Sequence, residues 1–148
     1  MKLKGALALV AVVACSGTLL LCQSGSNSAV IVNLAGARWS HEAKDPAGAE
    51  GVVLREDPQT GGMELLARYP AGHVIAPHWH ASNERLLLLE GRLSLRVGEE
   101  AAQVLDAGGF AYLPAREVQR ISCASATRCT FYLYWDGNPA SHRGPVTR

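Results

Sequence analysis

The sequence has few aromatic residues: three Trp, four Tyr and two Phe among 148. Its core must therefore be mostly aliphatic. It has no excess of one charge, with 14 Lys and Arg against 13 Asp and Glu and a net charge of +1. That balance argues against nucleic-acid binding, which needs a clustered basic footprint. No stretch carries a convincing helical period of about 3.6 residues. No internal repeat or low-complexity tract is present. A nucleophile turn of the G-x-S-x-G type is missing, as are a phosphate-cradling loop and a dinucleotide fingerprint. The composition, 48% hydrophobic and 18% charged, is that of a globular chain about one domain long.

The charges that are there are unevenly placed. Lys2 and Lys4 precede an apolar run from Ala6 to Ala14, and every acidic residue comes after position 40. A basic start, a short apolar stretch and a small, polar exit through Gln23 to Ser28 read as an export signal. Val12-Val13-Ala14-Cys15 resembles a bacterial lipobox, with a small residue before the cysteine. Leu19-Leu20-Leu21-Cys22 is the poorer match, because Leu21 is too large at that position. The expectation is an exported chain, periplasmic or held at a membrane as a lipoprotein acylated on Cys15, less favourably on Cys22. A plain signal peptide is one alternative. An uncleaved anchor over residues 5–22 is another, near the lower length limit for a spanning helix.

Beyond residue 38 the chain reads as short strands with turn signals every eight to twelve residues, the pattern of an all-β sandwich or barrel. Residues 29–37 are either a first edge strand or a linker. Strands are expected over 51–56, 63–69, 85–89, 92–97, 101–105 and 110–113. Residues 118–123 and 130–135 are expected to form a final hairpin, and the tail from Asp136 to lie on the surface or fray. Asp57 to Gly62, Pro70 to Gly72, Gly98 to Glu100 and Asp106 to Gly109 supply the turns.

His78-Trp79-His80 carries the chemistry. On a strand, residues two apart point to one face, so both imidazoles can converge inside a barrel. Glu84 adds a carboxylate four residues later. Two His and one carboxylate with open positions suit a six-coordinate catalytic metal such as iron. A surface or core His pair is the plainer alternative.

The run from Gly72 through His78, His80 and Glu84 to Gly91 fits G-x5-H-x-H-x3-E-x6-G at all five positions, and so resembles the first cupin motif. By this chain's composition, a chance match is on the order of one in ten thousand. Gly108 and Pro114 match the second motif, G-x5-P-x-G-x2-H, but Arg116 stands where the family has Gly, and Gln119 where it has the last His. The chain is similar to single-domain bacterial exported cupins over roughly residues 50–135. The resemblance implies an all-β fold, a double-stranded β-helix or jelly-roll barrel formed by residues 29–148, with residues 1–28 as export segment and tether. It implies one divalent cation (Fe, Mn, Zn or Ni) held by His78, His80 and Glu84, with Gln119 in the fourth ligand's place. An amide oxygen binds more weakly than imidazole, so either Gln119 or water completes a three-ligand site, or the metal has been lost.

Other residues play smaller parts in this reading. His73 is expected to face away from His78 unless Pro77 forces a bulge, and is taken as a non-ligand. Trp79 should face away from both His. Arg116 and Arg120 are read as solvated charges in preference to anion contacts. Cys123 and Cys129 fall on the two arms of the expected hairpin, within reach of a disulfide that an exporting route would oxidise; two free buried thiols are the alternative. Exported cupins of uncharacterised function look similar here, with two Cys flanking a short loop before an aromatic strand and an Asp-Gly pair. The leading expectation is a metal-dependent cupin acting on a small molecule, dioxygenase- or isomerase-like. The alternatives are a small-molecule binding or sensing module and a metal-free interaction scaffold. Expected partners are a small-molecule ligand and a membrane reached through the N-terminus, with no nucleic acid. A homodimer is a further expectation, since cupins often pair through sheet edges.

Overall fold

The computed structural model describes residues 29–41 and 48–146. The export segment with Cys15 and Cys22 lies outside the described residues. Eleven strands follow one another: β1 (Ser40–His41), β2 (Glu50–Glu56), β3 (Met63–Tyr69), β4 (Val74–His80), β5 (Glu84–Glu90), β6 (Arg92–Val97), β7 (Gln103–Asp106), β8 (Phe110–Leu113), β9 (Gln119–Cys123), β10 (Cys129–Trp135) and β11 (Ser141–His142). They form two antiparallel sheets, ordered β1-β2-β3-β10-β5-β8 and β11-β4-β9-β6-β7. This is the expected all-β, double-sheet jelly roll.

The alternation of side chains decides which face is buried. Glu84, Leu86 and Leu88 on β5 point inward, as do Phe131, Leu133 and Trp135 on β10. Leu93, Leu95 and Ile121 meet them from the other sheet. Complete burial of such a side chain contributes about 1.5–3 kcal/mol. The aliphatic residues thus make most of the core, with Phe131 and Trp135 at its centre.

One expectation changes and two open ones are decided. Residues 29–37 form no strand; Leu34–Gly36 is a 3-10 turn, and Val30, Ile31, Val32 and Leu34 are exposed. β9 and β10 are not a hairpin. β9 pairs with β4 and β6, whereas β10 pairs with β3 and β5, so the short connection between them crosses from one sheet to the other. Cys123 and Cys129 are disulfide-bonded at a Cα separation of 5.8 Å, and the bond ties the sheets together rather than two arms of one ladder. Finally, the tail lies on the surface, as one of its two expected alternatives had it. Ser141 pairs with His80 and His142 with Trp79, which adds a short outer strand beside β4.

The motif positions have local reasons. A Cβ on Gly91 would lie 2.7 Å from the Arg128 carbonyl oxygen, and its φ is +86°, so the β5–β6 turn admits only glycine. Arg116 is the one described non-glycine residue with positive φ, at 63°. The position where the motif has Gly therefore keeps the left-handed conformation even though a side chain stands there. Its N–H donates to the His80 carbonyl at 2.8 Å, which ties this turn to the end of β4.

Candidate metal centre

β4 brings His78 and His80 to one face, with ring centroids 5.0 Å apart and the rings nearly perpendicular. The ladder between β4 and β9 shifts register between Ile75 and His78, around Pro77, and restores pairing at His78 opposite Gln119. A proline cannot donate to a ladder, so an irregularity there is expected. β5 then supplies Glu84. All four side chains are buried.

Each imidazole is oriented by a backbone carbonyl. His78 Nδ1 lies 2.9 Å from the Ala76 oxygen, and His80 Nδ1 lies 3.3 Å from the Ala140 oxygen. A carbonyl only accepts, so Nδ1 carries the proton in both rings, and Nε2 of each neutral ring keeps its lone pair. Burial holds His78 below the usual imidazole range. It lowers His80 to about 4, with His78 adding to the effect. Both rings are neutral at pH 7.

Glu84 is shifted the other way. Burial pushes its carboxyl up to about 7, against the pull of the Gln119 amide. Gln119 Nε2 donates to Glu84 Oε2 at 2.7 Å. The same oxygen is 3.3 Å from His80 Nε2. If Glu84 is ionised, two lone pairs face each other across that gap. The contact is relieved either by a proton on Glu84, which then donates to His80 Nε2, or by a cation between or beside an ionised Glu84 and His80. In an octahedral site with bonds of about 2.1 Å, neighbouring donors lie about 3 Å apart, so the separation suits adjacent ligands. Gln119 Oε1 is buried and has no hydrogen-bond partner, a further oxygen whose lone pairs are unused. Two neutral imidazoles, a carboxylate and a free amide oxygen are a donor set that fits a divalent cation. Among the described residues, however, no three His, Cys, Asp or Glu are drawn together as a formed metal cluster. His80 and Glu84 are the pair in contact.

His78, His80 and Glu84 open onto a cavity of about 850 Å³. Its other walls are largely apolar, including Leu65, Tyr69, Ile75, Phe131 and Leu133. A volume of this order suits a small-molecule site. Glu50 also lines it, but its carboxylate is engaged by Arg68.

Among the remaining candidates, His73 stands just before β4, buried against Tyr69 with ring centroids 4.6 Å apart. Trp79 stacks on His142 at 4.4 Å. Arg116 and Arg120 are not among the cavity walls; Arg120 reaches the Gly98 carbonyl. Sequence reasoning missed Asn83, which clamps the turn before β5. Its Nδ2 donates to Asp136 Oδ2 at 2.8 Å, and its Oδ1 accepts from the Ala115 N–H at 3.0 Å. It also missed the Ala140 carbonyl and Arg143. A carbonyl has no sequence signature, and Arg143 lies far along the chain from the motif.

The ChrR cupin-like domain family matches residues 27–135, close to three-quarters of the chain. A comparison with curated proteins finds no match. The fold is similar to that of the Schizosaccharomyces pombe Cnp3 cupin domain, with 12% identity and a TM-score of 0.64 over 73% of this chain and 74% of that one. It is similar to an RmlC-like cupin from Shewanella frigidimarina, with 14% identity and a TM-score of 0.60 over 76% and 95%. An RmlC-like, double-stranded β-helix cupin from Methanocaldococcus jannaschii has 14% identity and a TM-score of 0.56 over 72% and 95%. At these identities the likeness concerns the fold alone. By the extent of the family match and the architecture together, the chain belongs to the cupin superfamily, in its ChrR cupin-like domain family.

Proposed function

We propose that this protein is an exported cupin that holds one divalent cation through His78, His80 and Glu84 and admits a small molecule to the adjoining cavity. The observation that carries the reading is the 3.3 Å approach of His80 Nε2 to Glu84 Oε2 between groups whose other contacts leave both atoms as acceptors. A bound cation of the Fe, Mn, Zn or Ni class supplies Lewis acidity toward substrate oxygens. The protein's own groups do the rest. The Ala76 and Ala140 carbonyls fix the rings, Gln119 orients the Glu84 carboxylate, and the apolar walls limit water. The test is titration of chelator-stripped protein with Co(II), followed by its visible absorption. One equivalent should bind, and His78→Ala should abolish the band; wild-type protein that stays colourless overturns the reading.

A second reading rests on the same Gln119–Glu84 bond. With the last motif His replaced, a proton on Glu84 can fill the cation's place, and the barrel then serves as a binding or sensing module without turnover. Glu50, the other carboxylate in the cavity wall, is tied to Arg68, so among the described residues no spare general base faces the site.

Export is supported by the Cys123–Cys129 bond, which persists in oxidising compartments. The proposed lipid-bearing residue is Cys15, with Cys22 as the lesser candidate. Labelled palmitate incorporation that disappears in Cys15→Ala is the expected result; incorporation lost only in Cys22→Ala moves the assignment.

A further inference from the structure

Residues from 136 onward lie beyond the family match. They form a strap across one side of the cavity. Ser82 Oγ donates to the Asn138 carbonyl at 2.9 Å, the Ala140 carbonyl meets His80, and β11 pairs with the end of β4. In that register Ser141 lies opposite His80 and His142 opposite Trp79. Alternation then puts Ser141 and Arg143 on the cavity side and His142 on the other. The contacts agree: His142 stacks on Trp79, whereas Ser141 and Arg143 line the cavity with His78 and His80. Arg143 is near enough for its charge to disfavour protonation of His78.

Arg143 differs from the other charged groups of the cavity. Glu50 has Arg68, and Glu84 has Gln119. Arg143 has no hydrogen-bond or ion-pair partner among the described residues. An exposed guanidinium with five donors thus lines a cavity whose walls also include Leu65, Tyr69, Phe131 and Leu133. One cation above an apolar chamber is complementary to one anion on an apolar body. A dianion is disfavoured, because Glu50 and Glu84 face the same space and no second unpaired cation lines it among the described residues.

We infer that the cavity takes an amphiphilic monocarboxylate, its carboxylate on Arg143 beside Ser141 and its hydrocarbon against Tyr69 and Phe131. This rests on the cavity half of the proposed function and names its ligand class; it does not require the cation. The carboxylate and guanidinium match in geometry as well as charge, since two parallel N–H donors can serve two oxygens.

The test uses the full chain at pH 7.5 with octanoate, octanamide and n-octyl phosphate as probes. Binding is followed by tryptophan fluorescence, because Trp135 lines the cavity. Octanoate should bind about tenfold or more tighter than the uncharged, similarly shaped octanamide, as expected for a charge-assisted pair. Arg143→Gln should erase that preference by weakening octanoate binding about tenfold or more. Equal binding of octanoate and octanamide, a preference that survives in Arg143→Gln, or tighter binding of octyl phosphate overturns the inference. Elemental analysis of the same samples separates the two claims. A carboxylate preference without cation sinks the metal reading alone, and cation without the preference sinks this inference alone.

Discussion

The Gln119 amide donates to the same Glu84 oxygen that approaches His80 Nε2, at 2.7 and 3.3 Å respectively. One carboxylate oxygen is thus shared between an amide donor and an imidazole lone pair. Gln119 turns its N–H toward Glu84 and leaves its Oε1 unused. The residue that replaces the motif's last His holds the Glu84 carboxylate in place, and the charge balance of the site is left to a proton or a cation.

Replacing that amide tests its part directly. Gln119 sits opposite His78 on the neighbouring strand, so an imidazole there enters the same buried space. Gln119→His should raise affinity for Ni(II) or Zn(II) by about tenfold or more, since imidazole is a much stronger ligand than an amide. Competition with a chromogenic chelator measures it. Unchanged affinity would mean that position 119 lies outside the cation's reach.

The pH dependence of chelator-treated protein follows from two opposed shifts. The Glu84 carboxyl in the folded protein titrates near 7, above its ordinary 4.5. Its contribution to stability is complete below pH 4.5 and is lost as pH rises through about 7. His80 titrates near 4, below its ordinary 6.5, so its contribution is present above pH 6.5 and is lost as pH falls through about 4. Between pH 4.5 and 6.5 the two slopes oppose each other. In EDTA the Tm should therefore fall on the alkaline side of pH 6.5 and on the acid side of 4.5. The net alkaline loss between pH 6.5 and 8 should stay under about 1 kcal/mol, at ~1.4 kcal/mol per pKa unit, because His80 offsets the Glu84 loss below pH 6.5. Glu84→Gln should remove the alkaline limb alone; a limb that persists in that variant refutes the assignment.

Arg116 occupies a left-handed position at φ 63°, and its side chain is exposed. The conformation costs a non-glycine residue about 1–2 kcal/mol, partly offset by the greater unfolded-state freedom of glycine. Arg116→Gly should stabilise the protein by about 0.5–1 kcal/mol in urea denaturation. Destabilisation would show that the guanidinium makes a compensating contact.

The disulfide joins the two sheets through buried residues. The double replacement Cys123→Ala with Cys129→Ala should cost roughly 2–2.5 kcal/mol from loop-closure entropy alone. Reduction of the native protein should lower the Tm comparably. A double variant as stable as the parent would contradict the role assigned to the cross-link.

Much of the barrel was legible because its signals are local. Leu93, Leu95 and Val97 alternate on β6, and Asp57 to Gly62 punctuates β2 and β3. His78, His80 and Glu84 follow one another within a single strand–turn–strand unit, so their meeting needs no long-range information. The hairpin expected from Cys123 and Cys129 failed because sequence proximity does not say which sheet each arm joins, and the disulfide can bridge sheets as readily as strands. β1 and β11 were invisible because each is two residues long and exists by pairing with a distant partner. Arg143 was missed for the same reason: only the Ser141–His80 register carries it to the cavity.

Elemental analysis of the native protein, purified without chelators, tests the central claim most directly. The account predicts about one divalent ion per chain, absent from the His78→Ala and His80→Ala variants while their folds remain intact. Native protein free of divalent metal, or variants that keep it, would contradict the account.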